Sequence, residues 1–141
     1  MGYSHYWNIK EKLTPEQFKE WTDGVKIIVE TATEAGIKLG NGLGFDAPRI
    51  EETYVALNGV GGEGHETFRI GLDDSGFNFC KTGEKPYDTV VTACLILLKA
   101  TLGENVIVSS DGNWSDWEGG QLLYETVFAQ TPEPILARTS A

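Results

Sequence analysis

The sequence is short of the residues that most often announce a function. Of its 141 residues only two are cysteine, two histidine and one methionine, and eleven basic residues stand against 21 acidic ones. Cys80 and Cys94 have neither metal-like nor redox-like spacing. No histidine pair sits at zinc-ligand spacing, so neither metal nor cofactor is expected. A formal charge of −10 argues against nucleic-acid polymers, whose binding rests on Lys and Arg neutralising phosphates. The same charge argues against an anionic membrane surface. Residues 1–20 lack a basic stretch followed by an apolar run. The longest apolar stretch, near residues 93–98, is far below bilayer-spanning length. A cytoplasmic protein with reduced thiols is therefore expected.

What is present suits one globular domain over residues 1–130, followed by a mobile tail over 131–141. Residues 3–9 alternate aromatic and polar side chains and read as a first strand. Thr14-Pro15-Glu16-Gln17 opens a helix with a capping box and a proline at its first position. Phe18, Trp21, Val25, Ile28, Val29 and Ala32 follow at helical spacing, and Gly36 supplies the stop. Gly40-Asn41-Gly42-Leu43-Gly44 reads as a loop. Residues 50–58, 67–72 and 77–81 read as three consecutive strands. Residues 59–64 join the first two, and Asp73-Asp74-Ser75-Gly76 joins the last two as a tight hairpin.

A second helix is expected from Pro86 to about Thr101, apolar on most sides and so central. A strand over 105–109 follows. Ser115-Asp116-Trp117-Glu118 then reads as a capping box opening a third helix to about Ala129. The order βαβββαβα implies an α+β fold, with a mixed, mostly antiparallel sheet of about five strands and three helices.

If strands 77–81 and 105–109 are parallel neighbours, both end on one rim of the sheet and the second and third helices begin there. That rim gathers Lys81, Thr82, Lys85, Tyr87, Ser109, Ser110, Asp111, Trp114 and Asp116 as candidate ligand-binding residues. A helix N-terminus offers unpaired N–H groups, the lysines add cations, and the hydroxyls add neutral partners. Tyr87 and the tryptophans offer stacking faces. Asp111 or Asp116 suits ribose hydroxyls. A phosphate-bearing small molecule such as a nucleotide is the ligand class expected. The plain structural alternative is that Thr82 and Ser115 cap helices, Asp88 and Asp116 complement helix dipoles, and the tryptophans fill core.

Several motif matches fail on context. Gly59-Val60-Gly61-Gly62-Glu63-Gly64 fits the dinucleotide fingerprint but lies between strands, as a hairpin loop would. Asp111-x-Asn113-x-Ser115 starts like a calcium loop, but its sixth position is Asp116 and its twelfth Leu122. Cys80 is the one candidate nucleophile, without an identifiable base. No catalytic residue is assigned, and a binder is favoured over an enzyme. His5 reads as a residue of an aromatic strand and His65 as a loop residue.

Ser4-His5-Tyr6-Trp7, Glu66-Thr67-Phe68, Phe79-Cys80-Lys81-Thr82, Lys85-Pro86-Tyr87-Asp88 and Val108-Ser109-Ser110-Asp111-Gly112 with Asp116-Trp117 resemble blocks of a widespread family. Its members are small proteins of bacteria and their phages with no established activity, and the resemblance runs to about Phe128. A phage setting implies interference with host defence, as by sequestering a nucleotide immune signal in the host cytoplasm. Two other readings stay open, an enzyme acting on a nucleotide or related metabolite and an acidic interaction or inhibitor module. The aromatic first strand also offers a two-fold pairing surface for a homo-oligomer.

Overall fold

The computed structural model describes residues 3–42 and 46–137. The first helix, α1 (Pro15–Glu34), starts as its sequence dictates. Gln17 N–H donates to Thr14 Oγ1 at 3.1 Å, and Thr14 N–H donates to Gln17 Oε1 at 3.0 Å. Both satisfy orphan donors of the first turn. Its buried stripe of Phe18, Trp21, Val25, Ile28 and Ala32 follows the helical repeat, and the chain leaves through Gly36 at φ +98°, a conformation that favours glycine.

The fold is α+β, as expected, but its strands divide into two antiparallel sheets rather than one. The first holds β1 (Ser4–Ile9) between β6 (Gly76–Lys81) and β7 (Val106–Ser110). The second centres on β4 (Tyr54–Gly59), paired with β2 (Leu39–Gly40), β3 (Arg49–Ile50) and β5 (Phe68–Gly71). The stretch 50–58 is therefore not one strand. It folds back at Glu51-Glu52-Thr53, where Glu51 N–H donates to the Tyr54 carbonyl at 2.8 Å. The turn after β5 is real, with Asp74 accepting from Gly71 N–H and Gly76 at φ +81°. It joins no hairpin, because β5 pairs with β4 and β6 pairs with β1.

The dinucleotide-like glycines form the loop expected of them. A 3-10 turn, Gly61–Glu63, lies between β4 and β5, and the Asn58 side chain accepts from the N–H groups of Gly59 and His65 across it. The loop over residues 40–44 lies partly outside the described residues.

Helix α2 (Asp88–Leu102) is the central one, buried at Val90, Val91, Thr92, Ala93, Cys94, Leu95, Ile96, Leu98 and Leu102. It touches both other helices closely. A β-carbon at Gly24 of α1 would lie 2.4 Å from Leu97, and one at Gly120 would lie 2.0 Å from Thr92 Oγ1. Gly120 belongs to α3 (Glu118–Phe128). That helix follows a 3-10 turn, Trp114–Trp117, capped by Asn113 with Asp116, two residues ahead of the expected Ser115 and Glu118. Phe68 joins the two sheets and α1, its ring edge-on to Trp7 at 5.3 Å and to Trp21 at 6.5 Å.

Residues 131–137 do not behave as a free tail. Leu136 bridges Val108 in parallel, and Ala137 N–H donates to the Val108 carbonyl at 2.8 Å. Ile135 and Leu136 pack against the core. The end of the expected tail lies outside the described residues. Among the described residues no helix is long and apolar enough to cross a membrane.

Candidate functional site

β6 and β7 are parallel to each other, since both run antiparallel to β1. They are not neighbours, as the sequence reading supposed, because β1 lies between them. Their carboxyl ends still share a rim, and the start of β1 is inserted there. Alternation along β1 points His5, Trp7 and Ile9 into the core, where all three are buried. The insertion brings His5 to the centre of the rim.

His5 is fully buried and joins the two loops. Its Nδ1 lies 2.8 Å from Ser110 Oγ, and its Nε2 lies 2.5 Å from Asp88 Oδ1. Ser110 Oγ also accepts from Gly112 N–H at 2.9 Å and from Trp117 Nε1–H at 3.2 Å. Those two donors occupy both lone pairs of a hydroxyl oxygen. The arrangement is satisfied when the Ser110 proton faces His5 Nδ1 and the His5 proton sits on Nε2, toward Asp88. Thr82 Oγ1–H donates to the same Asp88 oxygen at 2.6 Å. The ring is gripped edge-on by Tyr3 at 5.1 Å and by Trp117 at 4.9 Å.

Above this relay lies a cleft of about 490 Å³, lined by Tyr3, Glu84, Lys85, Pro86, Asp88, Thr89, Asp111, Gly112 and Asp116. Four carboxylates there face one lysine. The aspartates are held in place: Asp111 accepts from Ser4 N–H and Tyr6 O–H, both at 2.9 Å, and Asp116 accepts from Asn113 N–H at 2.7 Å. Gly83 and Glu84 both have positive φ, 62° and 59°, and Lys85 N–H closes the turn on the Thr82 carbonyl. A β-carbon at Gly112 would lie 2.2 Å from the Tyr3 hydroxyl, so a larger residue there must push the Tyr3 ring aside. Burial pushes that hydroxyl up to about 12, with the Asp88 charge adding to the effect. Among the described residues no three His, Cys, Asp or Glu side chains are grouped as a metal site requires.

The expected site residues separate into groups. Lys85, Asp111 and Asp116 line this cleft. Ser110 and Trp114, with Asp111 again, line a second, smaller cleft of about 370 Å³ that shares Asp111 and Gly112 with the first. Thr82 is fully buried with its hydroxyl on Asp88. Tyr87 is fully buried and its hydroxyl donates to the Glu66 carbonyl, so it offers no stacking face. Lys81 and Ser109 lie on the outer side of the sheet by strand alternation, with Phe79 and Ile107 respectively.

The start of α2 offers no free donors either. The N–H groups of Asp88, Thr89, Val90 and Val91 all bond to carbonyls of Lys85, Pro86 and Tyr87. Cys80 is buried, its Sγ 3.4 Å from the Glu66 carbonyl. Burial first, and then the Glu66 charge, push its thiol up to about 12, which leaves no thiolate near neutral pH.

Sequence reasoning missed Tyr3 and Glu84, and it passed over His5 and Asp88 as partners. The signal for His5 is its register with Trp7 and Ile9 on an inward face. No protein-family model, curated protein or solved structure matches this chain.

Proposed function

We propose that this chain binds a small molecule in the cleft above His5 and holds it without turnover. The ligand class that suits the lining carries one phosphate for Lys85 and several hydroxyl or amine donors for Asp111, Asp116 and Glu84. A nucleoside monophosphate has that composition. The observation that carries the reading is the lining itself, four fixed or exposed carboxylates around a single cation, which disfavours a ligand with several adjacent phosphates. Retention of a nucleotide immune signal is the role that the resemblance to phage proteins adds to this reading.

The test is thermal-shift screening of nucleoside monophosphates against the matching triphosphates, followed by calorimetry. Monophosphates should stabilise the protein and triphosphates should not. Lys85→Ala should weaken binding roughly 10- to 150-fold, because a charge-assisted contact is worth about 1.5–3 kcal/mol. Lys81→Ala should leave affinity within about twofold. Equal affinities for wild type and Lys85→Ala would place the ligand elsewhere and sink the proposal.

A hydrolase is the second reading, because Ser110, His5 and Asp88 lie in the order of a nucleophile, base and acid. Against it, Ser110 Oγ has both lone pairs occupied and the nearest backbone donor, Gly112 N–H, points at that same oxygen. A fluorophosphonate should therefore not label Ser110, and labelling would replace the binder with the hydrolase.

A further inference from the structure

We propose that the outer face of the three-stranded sheet is a homodimer interface, with the two-fold axis parallel to β1. Five large hydrophobic side chains are exposed among the described residues, and Phe77, Phe79 and Ile107 of these share this face. Tyr6 completes the patch, its ring stacked on Phe77 at 5.9 Å and 6.5 Å from Phe79. Contiguous exposed apolar area of this kind marks an interaction surface. The face is flat, and neither rim cleft is lined by Phe77, Phe79 or Ile107, whereas small molecules favour concavities.

Charge selects the occupant. The face residues Tyr6, Asn8, Phe77, Phe79, Ile107 and Ser109 carry no charge in a chain of net −10. Two copies of so acidic a chain repel each other except where such a neutral patch lets them meet. The register then makes the patch complementary to itself. A two-fold axis along β1 lays β6 of one protomer over β7 of its partner at equal height. Phe77 and Ile107 both pair with Asn8, and Phe79 and Ser109 both pair with Tyr6. Phe77 therefore meets the partner's Ile107, and Phe79 meets the partner's Ser109. Lys81, level with Ser4, meets the partner's Asp111, whose N–H bonds to the Ser4 carbonyl. Each copy thus contributes one cation and one anion at matching positions.

The face measures roughly 15 Å by 17 Å, from strand spacings of about 4.8 Å and rises of about 3.4 Å. That is well below the roughly 800 Å² per partner of a standard interface, so the dimer is weak and concentration-dependent. Sedimentation equilibrium up to about 1 mM protein should show monomer passing to dimer. Phe77→Glu should raise the dissociation constant at least about tenfold without changing the far-UV circular dichroism.

Variants with one added cysteine read the axis, since the native Cys80 and Cys94 are both buried. Asn8→Cys should cross-link to itself through a short bismaleimide, because facing sheets stand about 10 Å apart and a direct disulfide needs Cα atoms within about 7 Å. Phe77→Cys should cross-link to Ile107→Cys in a mixture, and neither of those should cross-link alone. A monomer at every concentration, or a dimer unchanged by Phe77→Glu, overturns the proposal. Self-linking of Phe77→Cys with no Phe77–Ile107 link overturns the stated axis and register.

Discussion

The two faces of the three-stranded sheet are made from the same seventeen residues and hold their surroundings in opposite ways. Inward, His5, Ser110 and Cys80 each meet a polar partner more than ten residues away in sequence, and little water reaches them. Outward, Tyr6, Phe77 and Phe79 meet one another and solvent, and Tyr6 adds one exposed hydroxyl bond to Asp111. Burial raises the cost of every missing partner on the inner face. The outer face loses little when a contact is removed. Alternation alone separates the two regimes, which is why neighbouring residues in the chain have unrelated roles.

The sharpest way to break that contrast is to remove His5. His5→Ala removes one partner each from Asp88 and Ser110 and opens a gap between Tyr3 and Trp117, and should cost about 2–4 kcal/mol of unfolding free energy. Phe79→Ser, one face away, should change it by no more than about 0.5 kcal/mol. Urea unfolding of the two variants measures both, and comparable losses would dissolve the distinction.

Alkaline pH should act chiefly on the inner side, although outward the hydrogen bond to Asp111 also raises the exposed Tyr6 phenol. Burial raises the thiols of Cys80, to about 12, and Cys94, and the phenols of Tyr3, to about 12, and Tyr87. Their ordinary values are 9.0 and 10.0. The unfolded chain therefore releases these protons first as pH rises, and linkage favours unfolding. Stability should be full below about pH 9 and fall progressively toward pH 12. Urea midpoints recorded across that range would show it, and a flat profile would mean these groups are not buried as described.

The smallest expected effect sharpens the comparison within the inner face. Trp21 Nε1–H donates to the Cys94 carbonyl at 3.0 Å, whereas Trp7 Nε1 is buried with no partner. Trp21→Phe should thus cost more than Trp7→Phe by about 1 kcal/mol, the net worth of one buried hydrogen bond. Equal costs in thermal denaturation would show that a partner reaches Trp7 Nε1.

Much of the fold could be read locally. The Thr14–Gln17 capping box, the apolar run of α2 and the alternation of β1 are decided by residues a few positions apart, so sequence pattern reaches them. Strand partnership is decided by edges that meet across the chain. Asp73–Gly76 has the composition of a hairpin turn and turns the chain as expected, yet its flanking strands part into different sheets. The third helix shows a subtler limit. Asn113 and Ser115 can both cap, and the chain uses Asn113, with Trp117 turned onto the His5 ring. The candidate site was half legible for the same reason. The rim followed from two strand directions, but its centre, His5, arrives from a strand whose place in the order no local pattern reveals.

That central place of β1 also sets a timetable for the nascent chain. Ser4 bonds to Asp111 across 107 residues, so the sheet cannot close until nearly the whole described chain has been translated. At about 5–20 residues per second the first strand waits on the order of 5–20 s for its second neighbour. Until β6 emerges its aromatic side chains have no strand to pair with, and until β7 emerges one edge of β1 stays open. Translation speed, as much as sequence, therefore bears on how much of this protein reaches its folded form.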